Sequence, residues 1–441
     1  MTDILIRNIT ALDPDPAGLR LLRHCDIAIE GNKIARVVPS GSEGAVAARV
    51  IEGEGRLAIP GLINNHAHAA MVLFRGAAED VPVEEWFNSY IWPMEANLTA
   101  DDVYFGALLA AVEMIEGGIT TVADHYFHMD RVAQALSEAG LRGHLAWTLF
   151  GSDPEAELSL SERFASQWQG AAGGRIQVWL GPHAPYTCPT GFLAQVAALA
   201  RDLQVGCHIH VSETAQQVQA SLATHGVTPI QLLDRLGMLD GRVLLAHAAH
   251  ATQEDLALLE GKPVGIAHCP KTFLKLAAGI APVVAMRERG IPVGLGTDGA
   301  ASNNTLDILE QMRLAAMMQK HQLADPRVIP LAEAVAMATV DGARALGAEA
   351  SLGRIAPGYL ADIAILRLDV PHAQPVHNLL AALVYSLRAS DVDTTIVNGR
   401  ILMEGRQLLT LDKDHILKEV KARAGRLAER HPDRRIQTYR P

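Results

Sequence analysis

The sequence is poor in cysteine, in aromatic residues and in net positive charge. Its cysteines are Cys25, Cys188, Cys207 and Cys269, far apart and with no C-x-x-C pair. That spacing argues against a disulfide framework or a thiolate zinc site and suits a reducing compartment. No stretch reaches the roughly 18 uninterrupted apolar residues of a membrane span. The opening MTDILIRNIT has no basic region followed by an apolar core. A soluble cytoplasmic protein is expected, with no membrane partner. The net charge of −11 argues against nucleic acid as a partner, because phosphate-backbone affinity rests on clustered Lys and Arg. The basic residues near the C-terminus are mixed with acids and read as a solvated helix face.

What is present is apolar: 49% hydrophobic against 20% charged residues over 441 positions, enough for a large core. Both ends read as β. "CDIAIEGNKIARVV" alternates around a Gly-Asn turn, and "TTIVNGRILMEG" alternates around Asn398-Gly399. The middle alternates helical patterns with short apolar runs. "VYFGALLAAVEMIEGG" has helical spacing and closing glycines, and "ITTVADHYF" follows as a strand. Further strand candidates are "LAIPGLINNHAHA", "RGHLAWTLF", "IQVWLGPHAPY", "VGCHIHVSE", "VLLAHAAH", "VGIAH" and "IPVGLGTD". About eight such strands predict a (β/α)8 TIM-type barrel over 59–357. A small β-sandwich domain is expected from residues 1–58 and 358–441, with a C-terminal helix around Ile416–Arg430 packed on it. A doubly wound sheet is the alternative.

Nearly every strand candidate ends in histidine or acid. His66, His68, Asp124, His125, His183, His208, His210, Glu213, His247, His268 and Asp298 all sit at such ends. Parallel barrel strands aim those ends at one face, where active sites form. Residues i and i+2 of a strand share a side, so His66 and His68 can share one cation. His210 can add a third nitrogen, although His208 competes for that role by the same spacing. Glu213 reads either as a group in the site or as a solvated acid at the next helix. A lone His247 is a hydrogen-bonded core residue or a site group. Asp298 would be a costly buried carboxylate without a cation or hydrogen bonds. Together these residues read as a metal-hydrolase centre. No lysine lies between Lys33 and Lys262, so the central strands offer no carboxylated lysine to bridge two ions, and one ion is expected.

"PGLINNHAHAAMVLFRG", "HVSETAQQV", "HCPKTFLKLAAGIAP" and "LGTDGAASNN" resemble the amidohydrolase superfamily. Within it they resemble the 5-methylthioadenosine/S-adenosylhomocysteine deaminases, from about Ala58 to Gly358. The resemblance implies His66, His68, His210 and Asp298 as ligands of one divalent ion, zinc or iron(II). It implies Glu213, His247 and Asp298 as catalytic groups: a proton shuttle to the purine ring, an orienter of the attacking water, and its base. Glu95 in "WPMEANL" resembles the glutamate that holds ribose hydroxyls. His183 in "GPHAPYT" resembles another substrate contact. The implied reaction is hydrolytic deamination of an adenine nucleoside to an inosyl product and ammonia, by a homo-oligomer acting on a small molecule. Two departures fall where substrate is expected. "WTLFGSDPE" has no arginine, and Thr272-Phe273 replaces an expected Ser-Asn pair.

Three other readings compete. One is the same chemistry on guanine, 8-oxoguanine, a pterin or an s-triazine, and another is a non-enzymatic binding protein. The third is a dehydrogenase, since Gly294, Gly296 and Gly299 match G-x-G-x-x-G. A dinucleotide fingerprint opens the first βαβ unit, with its acid about 20 residues later. This match comes late and encloses its acid, which predicts that the glycines serve Asp298.

Overall fold

In the computed structural model, which describes residues 2–15, 18–42, 46–431 and 433–441, the apolar runs of the middle become parallel strands. Their order around the sheet follows the chain: Leu62–His68, Ile119–Tyr126, Arg142–Leu149, Ile176–Pro182, Gly206–Val211, Val243–His247, Val264–His268 and Val293–Leu295. The last strand resumes as Asp298–Gly299, which pairs with the first through Asp298 opposite Ala67 and Gly299 opposite His68. The barrel closes there. These strands are buried on both faces because helices cover the outside, which is why they read as continuous apolar runs rather than alternation.

The helices start and stop where local chemistry dictates. Ala100–Glu116 begins at Thr99, whose hydroxyl accepts from Asp102 N while Asp102 accepts from Thr99 N. This reciprocal cap satisfies two amide donors. The helix ends at Gly117, and Gly118 turns the chain at φ +77°.

The two chain ends meet in one mixed sheet of nine strands. Gly18–Glu30 and Lys33–Pro39 form the first expected hairpin, with Glu30 opposite Lys33. Val392–Val397 and Arg400–Glu404 form the second, around Asn398 and Gly399 at φ 53° and 75°, the positive values a tight hairpin turn requires. Gly399 has a second reason to be glycine. A Cβ there would lie 2.1 Å from the Gly31 carbonyl oxygen, so the two turns touch. A core of isoleucines, Ile6, Ile27, Ile29, Ile34, Ile363 and Ile396 among them, holds this sheet together.

Two expectations differ from the structure. "LAIPGLINNHAHA" is two strands: Arg56–Pro60 pairs with Ile363–Arg367 in the mixed sheet, and Leu62–His68 opens the barrel. The chain crosses at Gly61, where any Cβ would collide with the Thr120 side chain at 2.2 Å. The C-terminal helix, Lys413–Leu427, lies against Ala100–Glu116 of the barrel rather than on the mixed sheet. Arg426 reaches both Asp102 oxygens at 2.6 Å, and Arg423 Nε stands 3.4 Å away. A buried carboxylate at a helix start attracts that pair.

Candidate metal centre and its pocket

Because every strand delivers its C-terminal end to one face, four side chains from three barrel positions converge. His66 and His68 come from the first strand, His210 from the fifth, and Asp298 from the returning piece of the eighth. His66 Nε2 and His68 Nε2 stand 3.4 and 3.2 Å from Asp298 Oδ1. His210 Nε2 is 3.3 Å from His68 Nε2. Three overlapping trios, His66–His68–Asp298, His66–His210–His247 and His68–His125–His210, each have ligand atoms within 4.8 Å of one another.

The outer nitrogens are tied back, and that aims the inner ones. His68 Nδ1 meets the His125 carbonyl at 2.5 Å, and His210 Nδ1 meets the His183 carbonyl at 2.7 Å. His66 Nδ1 is 2.8 Å from His208 Nε2. His208 thus stands behind His66 and not among the converging atoms. Ser302 Oγ donates to Asp298 Oδ2 at 2.9 Å, leaving Oδ1 to the imidazoles. Thr272 Oγ1 lies 3.3 Å from that serine, and Phe273 packs on His247 and His268. The Thr272-Phe273 departure therefore falls behind the centre and not on the pocket wall.

These donors fit a divalent cation. His66 Nε2 is buried with no hydrogen-bond partner among the described residues. Burial pushes the His66 imidazole down to about 3, the neutral form a ligand needs. Burial opposes a proton on His68, yet Asp298 and the His125 carbonyl outweigh it and raise His68 to about 9. Burial also works against ionised Asp298, but His66 and His68 hold its carboxyl well below the usual range. The pocket attracts positive charge at the point where the Nε2 atoms meet. Imidazoles with anchored outer nitrogens are the usual surroundings of a ligated metal.

The glycines of the eighth strand allow this approach. A Cβ on Gly294 would fall 2.1 Å from Asn65 Oδ1, and one on Gly296 would fall 2.9 Å from His66 Cβ. A Cβ on Gly299 would fall 2.4 Å from Met71 Sδ. The three glycines bring the strand against the first strand and set Asp298 beside His66.

Glu213 and His247 stand at the rim. Glu213 is buried, with its Oε1 3.8 Å from His247 Nε2, and the helix cap is the neighbouring Thr214. The alternative of a solvated helix acid therefore does not hold. The cavity above the centre is lined by His68, His125, His183, Glu213, His247 and Asp298 on its polar side. Glu95 Oε1 accepts the Tyr126 hydroxyl at 2.6 Å, and burial raises its carboxyl to about 7 against the pull of Tyr126 and His68. His183 Nδ1 is 2.9 Å from Thr187 Oγ1, with the ring facing the same cavity. Glu95, His183, Glu213 and His247 thus share one cavity with His68, His125, His210 and Asp298, whereas Asp124, His208 and His268 do not line it.

Sequence reasoning missed the apolar wall: Trp86, Phe87, Trp92, Tyr126, Phe150 and Tyr186. These come from separate segments with no common spacing. It also gave His125 no role, although its buried Nε2 lacks a partner among the described residues.

The model of the amidohydrolase family matches residues 57–402. The chain belongs to the amidohydrolase family. Members of this family are metal-dependent, and the histidine–aspartate cluster here is compatible with a metal. Over 408 residues it is 47% identical to a 5-methylthioadenosine/S-adenosylhomocysteine deaminase of Desulforudis audaxviator, covering 92% of this chain and 95% of that one. A deaminase of the same name from Pelotomaculum thermopropionicum is 45% identical over 435 residues, covering 98% and 100%. Among solved structures, a zinc-bound adenosine deaminase from Xanthomonas campestris superposes with a TM-score of 0.93 at 31% identity, covering 97% and 98%. A zinc complex of atrazine chlorohydrolase from Arthrobacter aurescens gives 0.88 at 29% identity, covering 97% and 100%.

Proposed function

We propose that this chain is a metal-dependent deaminase of adenine nucleosides. It would act on S-adenosylhomocysteine or 5-methylthioadenosine and release the inosyl product and ammonia. The carrying observation is a buried ring of His66, His68, His210 and Asp298 with Glu213 and His247 at its rim. Beside it an aromatic pocket holds one buried carboxyl, Glu95. Relatives of 45–47% identity that bear this activity in their names support the reading.

The ion would be held by Nε2 of the three histidines and by Asp298 Oδ1. Zinc suits this nitrogen-rich set, and elemental analysis distinguishes it from iron(II). When bound, the ion makes a water acidic enough to attack at neutral pH. The chain's own residues then carry the protons. Glu213 donates one to the ring nitrogen beside the amino-bearing carbon, so attack there builds no full negative charge. His247 Nε2, facing Glu213, orients the water. Asp298 accepts the proton the water loses and returns it to the amino group. The C–N bond breaks, ammonia leaves, and the remaining hydroxyl proton goes back to Glu213. Glu95 accepts hydrogen bonds from ribose hydroxyls, His183 adds a polar contact, and the aromatic wall stacks on the base and excludes water.

Glu213→Gln retains metal and loses about 10²–10⁴-fold in kcat, the usual range for a general acid. Parent-like ammonia release from that variant would remove Glu213 from the mechanism. A panel of adenosine, methylthioadenosine, S-adenosylhomocysteine, guanine and an aminotriazine decides the substrate, and release from the last two alone would favour another heterocycle. Four buried free cysteines suit a reducing cytoplasm. Among the described residues, no helix is long and apolar enough to cross a membrane.

A further inference from the structure

After the last helix the chain returns to the pocket. The Glu429 carbonyl accepts from Asn97 Nδ2 at 2.7 Å, and the Arg430 guanidinium lies 4.2 Å over the Tyr90 ring. The path leads to Tyr439, which is only 3% exposed. Asn88 grips its backbone on both sides: Oδ1 accepts from Tyr439 N at 2.8 Å, and Nδ2 donates to its carbonyl at 3.2 Å. The amide thus takes the place of a strand neighbour.

The Tyr439 ring touches two walls of the pocket at once. It lies parallel to Phe87, with centroids 5.1 Å apart and planes 7° from coplanar. It meets Tyr186 edge-on at 5.3 Å. Its hydroxyl is 3.4 Å from Thr214 Oγ1. Thr214 follows Glu213 and caps the helix Ala215–His225, while Gln217 Oε1 accepts from Glu213 N at 3.0 Å. One side chain therefore joins the helical segment 83–95, which carries Phe87 and Glu95, to the loop that carries Glu213.

We propose that Tyr439 is a positioning residue, a cross-brace that sets the width of the substrate pocket between Phe87 and the Glu213 loop. The inference rests on the reading of Glu95 and Glu213 given above. Tyr439 does not line the cavity itself, so it acts through Phe87, Tyr186 and Thr214. Stacked and edge-on aromatic contacts hold a preferred geometry. A wall displaced by a fraction of an ångström costs binding before it costs metal.

The test uses the full-length, zinc-loaded enzyme and its Tyr439→Ala, Tyr439→Phe and Asn88→Ala variants. Tyr439→Ala is expected to raise KM for S-adenosylhomocysteine about tenfold, the loss of one aromatic brace, with zinc content unchanged. Tyr439→Phe keeps the ring and returns KM to within about threefold of the parent. Asn88→Ala frees the tail's backbone and shifts KM in the same direction as Tyr439→Ala. A folded, zinc-replete Tyr439→Ala enzyme with parental KM overturns the brace, as does a Phe variant as impaired as Ala. If the parent deaminates no adenine nucleoside, the functional reading fails while the brace remains testable. Loss of Tyr439 or release by Asn88→Ala must then increase acrylamide quenching of the tryptophan fluorescence, to which Trp86 and Trp92 contribute. Unchanged quenching in both variants overturns it.

Discussion

Ser212, His247 and Asp298 all hold positive φ, at 48°, 75° and 60°, and all lie at the C-terminal ends of barrel strands. Such backbone shapes cost free energy for non-glycine residues and collect at functional sites. They turn His247 and Asp298 off the strand line toward the converging imidazoles. At this scale His208 offers a test, because it meets the outer nitrogen of His66, with His125 as a further ring neighbour. His208→Ala is expected to weaken metal affinity about 10- to 100-fold, the usual effect of losing an outer-sphere partner; competition against a chromogenic chelator measures it. Glu95 gives a pH signature. Burial raises its carboxyl to about 7, so the form that accepts ribose hydroxyls predominates above that pH and is lost below it. KM for a nucleoside is expected to rise as pH falls from 8 to 6 through that value, and Glu95→Gln flattens this limb. A pH-independent KM in the parent would show that Glu95 does not hold the sugar.

Elements were legible where their period was clean. The helix at 100–116 announced itself by spacing and closing glycines, and both hairpins by alternation around a turn. The histidine-tipped strands were legible for the same reason: polar residues closing apolar runs have few places to go except one face of a barrel. Gly61 was not legible, because only the collision with Thr120, distant in sequence, shows that one apolar run serves two sheets. Trp86 and Phe87 were equally hidden, since their helical segment reaches the pocket through tertiary packing and not through a period. The eighth strand makes the sharpest prediction at this scale. Gly296→Ala places a methyl 2.9 Å from His66 Cβ and Cys269 Sγ. It is expected to destabilise by about 1–3 kcal/mol through overpacking and to lower metal occupancy. Denaturant unfolding and elemental analysis read the two effects separately.

At the scale of the whole molecule, the barrel and the mixed sheet are joined by a buried ion pair. Arg142 of the third barrel strand donates from Nε and an Nη to the two Asp362 oxygens, each at 3.0 Å, and Asp362 also accepts from Asn398 N at 2.7 Å. Both side chains are almost fully buried, at 6% and 4% exposure. Removing one partner leaves the other charge uncompensated, so Arg142→Ala is expected to cost about 3–5 kcal/mol. Urea unfolding would show it, and an Arg142→Met, Asp362→Leu pair should recover most of the loss. The junction at Gly61 has a consequence in time. The strand Arg56–Pro60 finds its antiparallel partner only in Ile363–Arg367, about 300 residues further along. At ~5–20 residues per second of synthesis, that edge waits roughly 15–60 s, unpaired, beside a ribosome still making the barrel.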